Sequence, residues 1–204
     1  MEIGRLLTAM ITPFHENGDV NYEMASKLAK AIVDSGSDGL VIGGTTGEAP
    51  TISDDEKLKL FSVIKESIGT DHALIAGTTN NNTKESIKLS KLAESENVDG
   101  LLLTVPSYNK PTQEGLYQHF KAISEEVSIP CILYNVPSRT SLNMDDETTV
   151  KLSELKNIIG IKEASNDLDQ ITRIINNTSA DFKVWSGNDN ETLYGIHYYN
   201  HNYK

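Results

Sequence analysis

The sequence predicts an α/β fold of the TIM (β/α)8 barrel class, and three observations predict it. Apolar runs of strand length recur seven times, alternating with polar loops and helical stripes. Polar residues cluster where those runs end: Thr12, Thr45 and Thr46, Thr78 and Thr79, Tyr108, Tyr134, Lys162 and Asn188. In a barrel such C-terminal strand ends converge on one face, whereas an open doubly wound sheet spreads them along a line. Finally, no G-x-G-x-x-G follows the first run, which leaves a dinucleotide-binding sheet without support.

In chain order, the strand-length runs are 6–14, 38–44, 73–79, 100–106, 130–136, 158–164 and 182–187. They are continuously apolar, as in L-L-L-T-V at 101–105, which suits strands buried on both faces of a parallel sheet. Between them, Ala25, Leu28, Ala29 and Ile32 form a helical stripe after a candidate cap at Asn21. Leu58, Phe61, Ile64 and Ile68 form a second, opened by Ser53 and Glu56 in capping-box spacing. Leu116, Phe120 and Ile123 make a third, and Leu168, Ile171, Ile174 and Ile175 a later one. These stripes face a core and carry no function of their own.

Composition bounds what the chain can do. The 204 residues suffice for one domain with a sizeable core, and 38% hydrophobic content argues against disorder. With 18 basic and 29 acidic residues the net charge is −11, so neither a nucleic-acid partner nor an anionic membrane is expected. The single cysteine, Cys131, excludes an intramolecular disulfide framework and fits a reducing compartment. No run approaches the ~20 apolar residues of a membrane span, and no signal-peptide layout opens the chain, so a cytoplasmic location is expected. The histidines form no recognisable metal motif.

Three segments carry chemistry. Residues 157–165, N-I-I-G-I-K-E-A-S, place Lys162 where an apolar strand runs out. Partial desolvation there disfavours the ammonium and lowers its pKa toward the range in which a free amine attacks carbonyls. A solvated surface charge is the other reading of such a lysine. Residues 43–50, G-G-T-T-G-E-A-P, form a strand-to-helix junction whose exposed N–H groups and threonine hydroxyls can hold a carboxylate, or one that simply needs glycine to turn. Residues 134–140, Y-N-V-P-S-R-T, offer a phenol able to relay protons and an arginine suited to gripping a carboxylate. A packed aromatic and a surface charge are the alternatives for Tyr134 and Arg139.

Together with P-S-Y-N-K-P at 106–111, G-I-K-E-A-S at 160–165 and S-G-N-D at 186–189, these motifs resemble the dihydrodipicolinate synthase and N-acetylneuraminate lyase family of pyruvate-dependent class I aldolases. Five ordered, correctly spaced motifs carry the resemblance over residues 1 to about 193. The resemblance implies that Lys162 forms an imine with pyruvate, and that Thr45 and Thr46 hold the pyruvate carboxylate, Thr45 also joining a proton relay. It implies that Tyr134 passes protons to and from the nascent imine, and that Tyr108 completes the relay from a neighbouring subunit. Arg139 matches the residue that binds the carboxylate of the second substrate, and Gly187 the site glycine on the seventh strand. The implied reaction condenses pyruvate with L-aspartate 4-semialdehyde to 4-hydroxy-tetrahydrodipicolinate, in lysine and diaminopimelate biosynthesis. No metal or organic cofactor is implied, and a homodimer or homotetramer is expected. Because of Arg139, a sister 2-oxo-acid aldolase such as N-acetylneuraminate lyase stands second. Lysine-inhibited relatives tend to carry histidine or aromatic residues at positions that match Asp54, Lys57 and Ser107, although Asn81 and Glu85 fit; weak or absent feedback is therefore expected.

The resemblance places a (β/α) barrel domain at 1–193 and stops after Leu193, leaving a non-homologous tail at 194–204, Y-G-I-H-Y-Y-N-H-N-Y-K. A barrel typically takes ~250 residues, so the reading is a truncated barrel lacking its eighth strand and C-terminal helices. A premature end or shifted reading frame would account for it. Exposed edges on strands one and seven would follow, and an inactive fragment is a further alternative.

Overall fold

A computed structural model describes residues 3–192, so the predicted tail at 194–204 lies outside the described residues. Seven parallel strands hydrogen-bond in chain order: β1 (Leu7–Ala9), β2 (Gly39–Ile42), β3 (Ala73–Gly77), β4 (Gly100–Thr104), β5 (Cys131–Asn135), β6 (Ile158–Glu163) and β7 (Lys183–Ser186). All seven lie within the predicted apolar runs. The first is much shorter than its run, pairing with β2 only from Leu7 to Ala9. Beyond Ala9, Met10 N still donates to Val41 O, and Phe14 turns back into an isolated antiparallel bridge with Val20.

The helices are α1 (Tyr22–Asp34), α2 (Asp54–Ile68), α3 (Thr83–Ser95), α4 (Gln113–Ser124), α5 (Pro137–Thr140), α6 (Asp146–Ser153) and α7 (Leu168–Asn177), with a 3-10 turn at Ala49–Thr51. Asn21 caps α1 through its side chain. Ser53 and Glu56 close both halves of the capping box of α2, satisfying two otherwise orphaned N–H groups. Thr112 and Asp167 cap α4 and α7 through their side chains, accepting from Gly115 N and Gln170 N.

Contacts divide the chain into two compact units, residues up to 78 with 88–102, and residues 79–87 with 103 onward. In the first, α1 packs on α2, and both pack on β2. Leu40, Ile42, Leu60, Phe61, Ile64, Leu74 and Ile75 form its buried centre. Asp99 ties α2 to β3, accepting from Lys65 Nζ at 2.6 Å and Leu74 N at 2.8 Å. A side chain at Gly77 would collide with the Gly43 carbonyl, and Gly43 itself sits at φ +68, so the ends of β2 and β3 require glycine at both positions. In the second unit α6 packs against α4, α7 and β6.

The expectation of strands buried on both faces holds for β2 and β5, which are buried throughout. It fails for β1, which is half-buried, and for β7, whose Lys183 and Ser186 are exposed. Both are end strands of the sheet order and pair on one side only among the described residues.

Candidate active site

Lys162 is the fifth residue of β6, and its register partners are Tyr134 on β5 and Trp185 on β7. Period-two alternation therefore places Lys162 and Tyr134 side by side on one face of the sheet. The Lys162 Nζ lies 4.4 Å from the Tyr134 ring centroid, within cation–π range. Burial pushes the Lys162 ammonium below its ordinary pKa, and the positive charge of Arg139 pushes it further the same way. The Tyr134 phenol is raised by burial, while Arg139 pulls it down. Arg139 itself is exposed on the short helix α5, which starts at Pro137 immediately after β5.

Gly187 follows β7, and its N–H donates to Glu163 O at 2.6 Å. A Cβ there would lie 2.8 Å from the Ala164 Cβ and 3.2 Å from the Lys162 Cε, so glycine leaves the space that the lysine stem occupies. Gly187→Ala is expected to displace Lys162, slow its reaction with carbonyl compounds and cost about 1–3 kcal/mol of stability by overpacking. Denaturant unfolding and the rate of reductive alkylation at Lys162 check this, and unchanged values of both would contradict it.

Thus Lys162, Tyr134 and Gly187 meet, and Arg139 acts on the first two through its charge. Tyr108 does not join them: on the loop after β4 it is 91% exposed, with a left-handed φ of +72. Thr45 and Thr46 belong to the other compact unit, exposed on the loop that follows β2. That loop is pinned from below, where Thr12 Oγ1 donates to Gly47 O at 2.6 Å.

One group that the motifs alone did not single out is Glu163. It is fully buried, on the opposite face of β6 from Lys162. Burial raises its carboxyl to about 7, against hydrogen bonds from Ser165, Gln170, Asn135 and the Ala164 N–H that pull it down. Its register partner is Asn135, the residue after Tyr134. The signal was available in the sequence, since Y-N and K-E are consecutive pairs within the runs at 130–136 and 158–164, but the register that pairs them is not.

A parallel strand-helix chain with a desolvated lysine and a phenol paired at neighbouring strand ends defines an α/β protein of the TIM-barrel type. The chain belongs to the dihydrodipicolinate synthetase family, whose model matches residues 2–201. It is 56% identical over 192 residues to a 4-hydroxy-tetrahydrodipicolinate synthase of Dehalococcoides mccartyi, covering 94% of this chain and 65% of that relative. It is 55% identical over 193 residues to 4-hydroxy-tetrahydrodipicolinate synthase 1 of Halalkalibacterium halodurans, covering 95% and 65%. The crystal structure of a dihydrodipicolinate synthase from Bacillus anthracis superposes with a TM-score of 0.95 at 43% identity, covering 97% of this chain and 68% of that one. A lysine-bound enzyme from Cyanidioschyzon merolae gives a TM-score of 0.94 at 42% identity, covering 96% and 67%. The chain thus spans 65% of the length of the first two relatives. No described helix is long and apolar enough to cross a membrane.

Proposed function

We propose that this chain carries the chemistry of a 4-hydroxy-tetrahydrodipicolinate synthase, condensing pyruvate with L-aspartate 4-semialdehyde through an imine on Lys162. The observation that carries the reading is the lysine itself, desolvated at the end of β6 with its Nζ 4.4 Å from the Tyr134 ring. A lowered pKa leaves more free amine at neutral pH to attack the pyruvate ketone. The carbinolamine formed loses water to give the imine, and loss of a methyl proton converts the imine to an enamine. The enamine carbon adds to the aldehyde, and the amino group of the second substrate then displaces Lys162 as the product cyclises.

In this reading Tyr134 shuttles protons at the imine, and the exposed guanidinium of Arg139 receives the carboxylate of the second substrate. Thr45 and Thr46 hold the pyruvate carboxylate, and Gly187 keeps room for the lysine stem. Tyr108, exposed in this single chain, suits a residue that serves a second copy in a homodimer or homotetramer. The pair of substrates, a cofactor-free imine and a cytoplasmic location belong to the same proposal, in which lysine and diaminopimelate biosynthesis is the setting.

The test is to incubate the purified chain with pyruvate, reduce with borohydride and map the adduct by mass spectrometry. A pyruvate-derived adduct on Lys162 supports the reading. Its absence, under conditions that label a full-length relative, favours an inert chain. Turnover with aspartate semialdehyde rather than N-acetylneuraminate separates the sister activities. Lysine is expected to inhibit weakly or not at all, and micromolar inhibition would overturn that expectation.

A further inference from the structure

Behind the lysine lies a buried polar network whose geometry is dictated by the backbone. Met144 N donates to Asn135 Oδ1 at 3.0 Å, and a backbone N–H can only donate, so the other end of the Asn135 amide, Nδ2, must face away from it. Asn135 Nδ2 accordingly points at Glu163, 3.0 Å from Oε1 and 3.3 Å from Oε2. Gln170 is fixed by the converse logic. Its Nε2 donates to the Met144 carbonyl at 3.2 Å, which orients the amide, and to Glu163 Oε2 at 3.3 Å. Its Oε1 accepts from Asn143 Nδ2 at 2.7 Å. The Ala164 N–H donates to Glu163 Oε1 at 3.0 Å and to the Asn135 carbonyl at 2.9 Å.

Asn135, Gln170 and the Ala164 backbone each present an N–H to Glu163 and Ser165 adds a hydroxyl, so position 163 requires a group that accepts on both oxygens. The carboxyl group fulfils this, its one O–H when protonated having the Ser165 hydroxyl to turn to, whereas an amide of the same size would set its NH₂ against N–H donors. The network also sits one residue from the site on both strands. Asn135 pairs with Glu163 in register, immediately after Tyr134 pairs with Lys162. The β5–β6 register shifts between Cys131 and Ile132 but runs unbroken from Ile132 to Asn135, so within that stretch a lock on the second pair holds the first.

We infer that Glu163 and Asn135 form a positioning pair that clamps the β5–β6 register from behind and thereby holds the Lys162 amine against the Tyr134 ring. Glu163 touches no substrate in this scheme and acts through the strand. The consequence for reactivity rests on the proposed imine chemistry; the positional claim does not. A displacement of about 1 Å in a reacting group is enough to cost about a hundredfold in rate.

The experiment compares the full chain with Glu163→Gln and with Gln170→Met, which removes one donor and keeps the carboxylate. The first readout is the NMR shift of the Lys162 methylene protons next to Nζ, expected upfield in the native chain because Nζ lies over the Tyr134 ring. The second is the rate of borohydride capture with pyruvate, read against pyruvate concentration. Glu163→Gln is expected to abolish the ring-current shift. It is also expected to lower the capture rate at saturating pyruvate at least about tenfold, moving the half-saturating concentration less than about threefold. Gln170→Met is expected to move both readouts in the same direction by less, and carries the test if the first variant does not fold. A loss of melting temperature with an unchanged ring-current shift in the folded protein would overturn the proposal, as it would mean that the network only stabilises. If the shift is lost in Glu163→Gln but the native chain forms no pyruvate adduct, the positioning pair stands and the imine reading fails.

Discussion

Lys162→Met is expected to eliminate adduct formation with pyruvate completely while making the folded chain more stable at neutral pH. Both effects come from the same desolvation. Burial holds the Lys162 pKa below its ordinary value, so the unfolded chain binds more protons there than the native one. The sign follows directly: this group opposes folding at pH values below its ordinary pKa, and the penalty disappears only as pH rises through that value. Methionine fills a comparable volume without a charge to desolvate and should stabilise by about 1 kcal/mol, the usual scale for relieving a strained functional position. Lys162→Arg is expected to be equally unable to form the imine, because a guanidinium stays protonated. Peptide mapping after borohydride and urea unfolding at pH 7 check the two halves. An adduct elsewhere in Lys162→Met, or a clear loss of stability, would show that another amine or a different balance of forces is at work.

The second large effect is a pair of opposed pH dependences that nearly hide one another in the native chain. Glu163 is raised from the ordinary carboxylate value to about 7, so folding takes up a proton between about 4.5 and 7. Its contribution to stability is present below that window and is lost as pH rises through it. His119 behaves in the opposite sense. Buried in α4, with its ring edge against Phe120 and Nδ1 2.9 Å from Thr83 Oγ1, it has no partner for Nε2 among the described residues. Burial lowers its pKa from 6.5 to about 4, so folding expels a proton and stability is lost as pH falls through that window. Each shift corresponds to on the order of 3 kcal/mol at most. Across the overlap, roughly pH 4.5 to 6.5, the slopes oppose each other. Glu163→Gln should therefore expose a stability that falls toward acid pH, and His119→Leu one that falls toward neutral pH. Urea midpoints at four pH values between 4.5 and 7.5 decide it, and parallel curves for the two variants would refute the assignment.

Much of the fold was legible because its causes are local. Seven apolar runs gave seven strands, Asn21 capped α1, and Ser53 with Glu56 closed the capping box of α2. The stripe at 168–175 became α7, with Ile171, Ile174 and Ile175 buried. Each of these depends on neighbours within one or two turns, which a sequence displays directly. What was missed depends on distant partners. Nothing near Leu6 to Phe14 shows that only three residues of that run would find a strand to pair with. Helix α6 carries no strong stripe, and it lies where it does because α4, α7 and β6 surround it. Glu163 lay inside the run at 158–164 with nothing local to mark it. Its burial depends on Asn135, 28 residues away, and on Gln170, seven residues away.

The site divides along the same line. The sequence by itself determined that a lysine would sit at the end of an apolar strand and that Y-N-V-P-S-R-T would end another, since strand ends follow from composition and the turn residues beyond them. Only the tertiary structure decided that Tyr134 lies opposite Lys162. That pairing is a matter of register between two strands, fixed by backbone hydrogen bonds and by the Asn135–Glu163 lock. A slip of one residue would have left every motif intact and put the phenol on the wrong face.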